Sequence, residues 1–394
     1  MRKVFSLMAL LLVFVLLGAC AQQHVKKEYA FADPMSGLAG GGLNLLAEPV
    51  YSSDTLTGAM DTYDAELSIY DVDFSVVPRL ESAYAFDQFL LRCIEKRYVK
   101  VAFVTDDANL CLFDGGSRIA NAYLLRACKP EVLDLRNGTY RVLYTLTYFD
   151  GENVAHAYRT GDRRNLTVQE SAIYDFAAGW IEKNIPKEEP IYDKLLRIHD
   201  FICAQTQYYA EAEHDGQTVH TASPYGVFFQ GRANCQGYAD TFQMLSRMAG
   251  IECVKIDGEA SGSAHVWNMV RLEDGRWYHV DVTFDDGFDA GPAYAYFCVP
   301  DELIMATHRF DTAKTPDAAD LDAYYYVKKG LIAFDDTQAQ ELLSTVFSNR
   351  PGAFSLLAGA QVELQHIARL CVQNGYSAVQ VKELGDYSVV VAGI

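Results

Sequence analysis

Three residues far apart in the 394-residue chain, Cys235, His265 and Asp281, are of the types that together carry out nucleophilic acyl transfer. A cysteine thiolate attacks an amide carbonyl, an imidazole passes a proton to the leaving amine, and a carboxylate fixes the imidazole tautomer and stabilises its charged form. A lone cysteine is more often a core thiol. Most of the nine cysteines sit in apolar patterns that fit this, such as Leu90-Leu91-Arg92-Cys93-Ile94. There is no CxxC pair, so neither a zinc knuckle nor a dithiol redox motif is expected.

The segment that would position the thiol is Gly231-Arg232-Ala233-Asn234-Cys235-Gln236-Gly237-Tyr238. Tyr238, Phe242, Leu245 and Ala249 recur at helical spacing, Gly250 supplies the stop, and Asn234 is a good N-cap. Cys235 therefore falls at the first helical position. Free backbone N–H groups and the positive end of the helix dipole favour thiolate there. Gly237 is expected to keep the approach to the sulfur open. His265 opens an expected strand, 264–272, Asp274-Gly275 makes a turn, and 277–282 returns with Asp281 near its end. A two-residue turn would pair Asp281 with Asn268 and put His265 and Asp281 on opposite faces. A three-residue turn restores a common face but is expected to leave them about four residues apart, roughly 13 Å at ~3.3 Å per residue. A bulged or otherwise irregular hairpin is therefore expected. His279, on the same strand face as Asp281, is the competing base.

Four blocks occur in the order found in the transglutaminase-like superfamily, and the stretch resembles it. They are Leu196-Arg197-Ile198-His199-Asp200-Phe201-Ile202, Asn234-Cys235-Gln236-Gly237-Tyr238-Ala239, His265-Val266-Trp267-Asn268 and Trp277-Tyr278-His279-Val280-Asp281-Val282-Thr283. The resemblance covers less than a third of the chain, and its specificity lies in the order and spacing of the blocks together. It implies Cys235 as nucleophile, His265 as base and Asp281 as orienting acid. It also implies an α+β fold related to papain-like cysteine proteases, with a nucleophile helix packed on an antiparallel sheet, and the pattern of the two chain ends adds small α/β units flanking it. His265 is favoured over His279 because the family histidine precedes Val/Ala-Trp, as His265 precedes Val266-Trp267. The multidomain setting of animal transglutaminases has no counterpart in these blocks, so protein cross-linking does not carry over.

An oxyanion would be held by the Cys235 N–H and one further donor, for which Gln230 and Tyr208 are the candidates. A structural polar role competes for both. His199 and Cys203 lie four apart on an expected helix, but no further ligands cluster beside them, and no metal or cofactor is expected. Asp285, Asp286 and Asp289 lack EF-hand spacing and read as a solvated loop rather than a calcium site. Trp267 and Trp277 read as hairpin core rather than groove lining.

Acidic residues outnumber basic ones 52 to 33, for a formal net charge of −19, and half of the chain is hydrophobic. This is the balance of a folded protein, and it argues against nucleic acid or an anionic membrane surface as a partner bound through bulk charge. Arg2-Lys3, the apolar run 4–17 and Leu17-Gly18-Ala19-Cys20 resemble a bacterial lipoprotein signal. Residues 1–19 are thus expected to be a signal peptide. Cys20 is expected to be lipidated, tethering the chain to the outer face of the cytoplasmic membrane, at the cell surface.

The expected organisation is a flexible tether at 20–62, an N-terminal α/β accessory domain at 63–187, a catalytic domain at 188–312 and a small C-terminal α/β domain at 313–394. Helices are expected at 83–97, 117–127, 168–184, 336–349 and 362–373, and strands at 98–105, 140–149, 353–358 and 387–392. Gln88-Phe89-Leu90-Leu91 with Tyr98-Val99-Lys100-Val101 is echoed by Gln340-Glu341-Leu342-Leu343 with Gly352-Ala353-Phe354-Ser355. Two related flanking units, or generic patterning shared by unrelated ones, would both produce this echo. Peptide or protein amides, including cell-wall peptides, are the expected substrates. The competing reading is a non-catalytic surface binding or adhesion module that keeps the fold.

Overall fold

A computed structural model of the protein describes residues 59–60, 67–111, 124–214, 216–288 and 293–394. The expected signal peptide, Cys20, nearly all of the expected tether and Asp289 lie outside the described residues. No helix among the described residues is long and apolar enough to cross a membrane.

The N-terminal sheet consists of β1 (Ala59–Met60), β2 (Lys100–Thr105), β3 (Leu125–Asp134) and β4 (Tyr140–Tyr148), in the order β1-β2-β4-β3. β1 falls within the expected tether, but it pairs with β2. Helix α1 (Ala83–Glu95) starts at Ser82, whose hydroxyl accepts from the Ala85 N–H. Its Phe86, Phe89, Leu90 and Ile94, the apolar face legible in the sequence, pack with Phe103 and Tyr144 of the sheet. The helix expected over 117–127 fails at its end, and 117–123 lie outside the described residues. Leu125 begins β3 and pairs with Tyr148, so pairing with β4 overrides the local helical pattern.

The segment that follows includes α2 (Asp150–Thr160), α3 (Val168–Asn184), α4 (Ile191–Gln205), β5 (Gln207–Tyr208), β6 (Arg232–Ala233) and α5 (Cys235–Met248). Thr167 and Glu170 form a capping box at the start of α3. The core around Phe242 and Leu245 of α5 takes in Val154 of α2, Ile173 and Ala177 of α3, and Ile198 and Ile202 of α4. Packing is therefore continuous across residue 188. A buried ionic cluster reinforces this. Glu152 accepts from Arg97 and from Arg247 of α5, and Asp240 of α5 accepts from Lys255 at 3.0 Å and from the Gly151 N–H at 3.1 Å.

The central sheet is antiparallel. It contains β7 (Cys253–Ala260), β8 (Ser263–Arg271), β9 (Trp277–Val280), β10 (Phe297–Val299) and β11 (His308–Arg309), in the order β10-β9-β8-β7-β11. Between β9 and β10 lies a one-turn helix, α6 (Val282–Asp285). On one face α5 packs over Val270 and Val280, and the Asn268 side chain donates to the Ala239 carbonyl at 3.1 Å. On the other face Ile256, Trp267 and Met269 share a core with Leu357, Leu384, Val389 and Val391 of the C-terminal sheet.

That third sheet comprises β12 (Ile332–Asp335), β13 (Ala353–Gln361), β14 (Ala378–Leu384) and β15 (Tyr387–Gly393), in the order β12-β13-β15-β14, with α7 (Asp336–Asn349) and α8 (Leu364–Gln373) beside it. The order matches that of the N-terminal sheet, and the last three strands are antiparallel in both. The first strand differs, being parallel to its neighbour in the C-terminal sheet and antiparallel in the N-terminal one. The echo between the two ends of the sequence is thus accompanied by an echo of topology, offset at one edge.

Candidate active site

Cys235 is the first residue of α5. Asn234, in extended conformation, caps the helix by accepting from the Gly237 N–H at 3.2 Å. The thiol is free and partly exposed, at the N-terminal end of a 14-residue helix. Gly237 has a different task from the expected one. A Cβ there would lie 2.2 Å from the Thr221 carbonyl oxygen. Its absence lets the 220–221 backbone press against the helix start, where the Thr221 carbonyl also accepts from the Asn234 N–H at 2.9 Å.

The ladder of the hairpin that carries the other two residues runs without a register shift, and the irregularity lies in its turn, where Gly275 takes φ +82°. Asn268 pairs with Val280 and Arg271 with Trp277, around a loop one residue longer than the Asp274-Gly275 turn suggests. One step beyond the ladder, Asp281 falls opposite Trp267. It therefore shares a face with His265 and is offset by two residues rather than four, about 7 Å along the strand. The side chains close that gap: His265 Nε2 lies 2.7 Å from Asp281 Oδ2. With Nε2 engaged, Nδ1 is left for the Cys235 side chain, which also hydrogen-bonds His265. Burial opposes a charge on the ring, but the Asp281 carboxylate and the Cys235 sulfur more than offset it, and the histidine pKa is raised to about 10. The imidazole packs between Trp267, stacked at 5.9 Å, and Phe284 at 4.9 Å.

A second histidine, absent from the sequence-based set, converges on the same carboxylate. Buried His308 of β11 places Nε2 2.9 Å from Asp281 Oδ2, and its Nδ1 is 2.8 Å from Thr307 Oγ1. The Phe284 N–H donates to Asp281 Oδ1 at 3.1 Å. Burial alone would raise the Asp281 pKa, but the charge and hydrogen bond of His265 and the hydrogen bond of His308 hold it well below the usual carboxylate range. The only sequence clue to His308 was its residue type, because it lies on a two-residue edge strand with no periodic pattern. That strand can pair with β7 because residue 258 is glycine: a Cβ there would be 2.2 Å from the Arg309 carbonyl oxygen. The ligand atoms of His265, Asp281 and His308 lie within 4.8 Å of one another, close enough for a metal ion. Hydrogen bonds to the shared Asp281 oxygen already account for this closeness.

The remaining candidates separate. Tyr208 is paired through β5 with Ala233. Burial raises the pKa of its phenol, and the nearby Cys235 adds to that, so the hydroxyl stays a donor. Gln230 has both ends of its amide engaged with backbone. Its Oε1 accepts from the His220 N–H at 2.8 Å and its Nε2 donates to the Thr218 carbonyl at 2.9 Å, clipping the loop before β6. His279 is buried. It accepts from Trp267 Nε1 at 3.0 Å and lies 2.7 Å from Asp301 Oδ1, and burial lowers its pKa, so it is a neutral structural residue. Asp285 is not part of a solvated loop. It is buried, pairs with His199 at 3.1 Å and accepts from the Tyr296 N–H at 3.0 Å. Asp286 accepts from the Tyr238 hydroxyl.

Residues 180–282 match the model of the transglutaminase-like superfamily. Kyphoscoliosis peptidase of Mus musculus is 30% identical over 130 residues, 29% of this chain and 19% of that protein. Kyphoscoliosis peptidase of Homo sapiens is 27% identical over 187 residues, 40% of this chain and 28% of that protein. The chain thus spans less than a third of the length of these curated relatives. A crystal structure of a TGase is similar at 18% identity and a TM-score of 0.27, covering 61% of this chain and 67% of that one. The sequence match takes in α5, β8 and β9 and contains Cys235, His265 and Asp281. A helix with a cysteine at its start lies across an antiparallel sheet, and residues 180–282 of this α+β chain belong to the transglutaminase-like superfamily.

Proposed function

We propose that the protein is a cysteine peptidase or acyltransferase acting on peptide or protein amides. The supporting observation is the placement of His265, with one ring nitrogen 2.7 Å from Asp281 and the other side of the ring at Cys235. In this reading the Cys235 thiolate adds to the amide carbonyl carbon while imidazolium His265 keeps its proton. The Cys235 N–H, which has no acceptor within the helix, and the Tyr208 hydroxyl hold the oxyanion. The C–N bond then breaks, the His265 proton goes to the departing amine, and a thioester remains. His265, now neutral, takes a proton from water or from a second amine as it attacks. Water completes hydrolysis, and an amine completes transamidation. Asp281 keeps the ring in one tautomer and stabilises its charge throughout. The sequence around Cys20 extends the proposal to a lipid-anchored protein outside the cytoplasmic membrane, with cell-surface peptides within reach.

The test is alkylation of Cys235 by iodoacetamide, followed residue by residue by mass spectrometry. Reaction below pH 7 well above the rate of an ordinary exposed thiol, lost in His265→Ala, is the expected result. A rate no higher than an exposed thiol's would favour the non-catalytic binding module instead. Incorporation of a primary amine into a glutamine-bearing protein separates transamidation from hydrolysis.

A further inference from the structure

The C-terminal sheet brings a cation to this site. β14 is its edge strand, and alternation along a strand puts Lys382 on the same face as Leu384. Leu384 is fully buried in the core shared with Ile256 and Trp267 of the central sheet, so Lys382 is turned the same way. Its Nζ lies 5.4 Å from the centroid of the Phe284 ring. That ring in turn packs 4.9 Å from His265 and 5.0 Å from His308. The ammonium is therefore one aromatic ring away from the base.

Lys382 is partly buried, and its ammonium makes no ion pair or hydrogen bond among the described residues. Burial lowers its pKa, and the only opposing influence is the charge of Asp281. No hydrogen bond or ion pair joins it to Asp281 among the described residues; the Asp281 oxygens accept from His265, His308 and the Phe284 N–H, and Asp281 acts on Lys382 through its charge alone. A partly dehydrated cation that faces an aromatic ring rather than a carboxylate is only partly compensated, and an arriving anion would relieve the remaining cost. In a chain with a net charge of −19, the general field repels anionic ligands, so a local cation is what would admit one.

We propose that Lys382 is a substrate-recognition residue whose ammonium binds a carboxylate of the peptide substrate beside His265. The proposal rests on Cys235 being the nucleophile and gives the C-terminal sheet a part in substrate selection.

Two alkylating probes of near-equal size test it on the full chain: anionic iodoacetate and neutral iodoacetamide. In Lys382→Met the ratio of iodoacetate to iodoacetamide rates at Cys235 should fall roughly tenfold, with recovery in Lys382→Arg. A ratio unchanged in Lys382→Met overturns the proposal. The iodoacetamide rate shows in the same sample that the site is formed. If wild type reacts with iodoacetamide no faster than an exposed thiol, the acyl-transfer reading fails, whereas the ratio still reports on Lys382. Protection of Cys235 by acetyl-Ala-Ala with a free carboxyl terminus, compared with acetyl-Glu-Ala-amide, shows which carboxylate is bound. Protection by neither counts against the proposal, as an unchanged ratio does.

Discussion

His308 Nε2 approaches to 2.9 Å the same Oδ2 atom of Asp281 that His265 Nε2 reaches at 2.7 Å. One carboxylate oxygen thus serves two imidazoles, and the other accepts from the Phe284 backbone. The Thr307 hydroxyl lies against His308 Nδ1, and Tyr296 OH lies 3.1 Å from that hydroxyl. The carboxylate that faces His265 is therefore held from behind by a chain of hydrogen bonds running to the edge of the sheet.

Removing His308 should act through Asp281 rather than on the reacting atoms. A hydrogen bond to a charged group is worth about 1.5–3 kcal/mol. His308→Ala is accordingly expected to lower the rate of Cys235 alkylation near pH 6 roughly 10- to 100-fold. The acid limb of the pH profile should move upward, because Asp281 takes a proton more easily. His308→Gln, which can still donate to Oδ2, should restore part of both effects. A profile that keeps its shape in His308→Ala would reduce the residue to packing.

The raised His265 pKa sets the alkaline side. Folding lifts it from 6.5 to about 10, so the folded protein holds this proton more tightly than the unfolded chain. The stability this supplies is present in full below pH 6.5 and is lost as pH rises through about 10. Turnover should fall near pH 10 as the imidazolium proton is lost, and the Tm difference between wild type and His265→Ala should shrink over the same range. A loss of activity centred near pH 7 would contradict this ion pair.

Glu152 stands between Arg97, which precedes β2, and Arg247 of α5. Burial works against its charge, but Arg97, Arg247 and Lys255 keep it ionised, with a pKa below the ordinary value. Glu152→Ala would leave two guanidinium groups without their buried partner, at a cost of roughly 3–5 kcal/mol. Denaturant titration should show a lower midpoint, with Glu152→Gln falling between. A midpoint within experimental error of wild type would show that the cluster relaxes into water.

Several features were legible in the sequence because they depend on near neighbours. The extents of α3 and α7 follow from helical periodicity and from Thr167 and Asp335 at their caps. The Asn234 cap placed Cys235 at a helix start, and the order of the four blocks pointed to the superfamily. Features set by distant contacts were misread or missed. The Asp274-Gly275 pair suggested a two-residue turn, but the longer loop decides which face Asp281 occupies. β14 and β3 have weak alternation and form because β15 and β4 pair with them. The backbone contacts of Gln230 with Thr218 and His220 come from a loop 10 to 12 residues upstream and leave no local pattern. His308 and Lys382 carry no local signature, since each matters only through a residue at least 27 positions away, Asp281 in one case and Phe284 in the other. Short-range chemistry is written in consecutive side chains, whereas a shared oxygen or an unpaired cation exists only after strands remote in the chain have been stacked together.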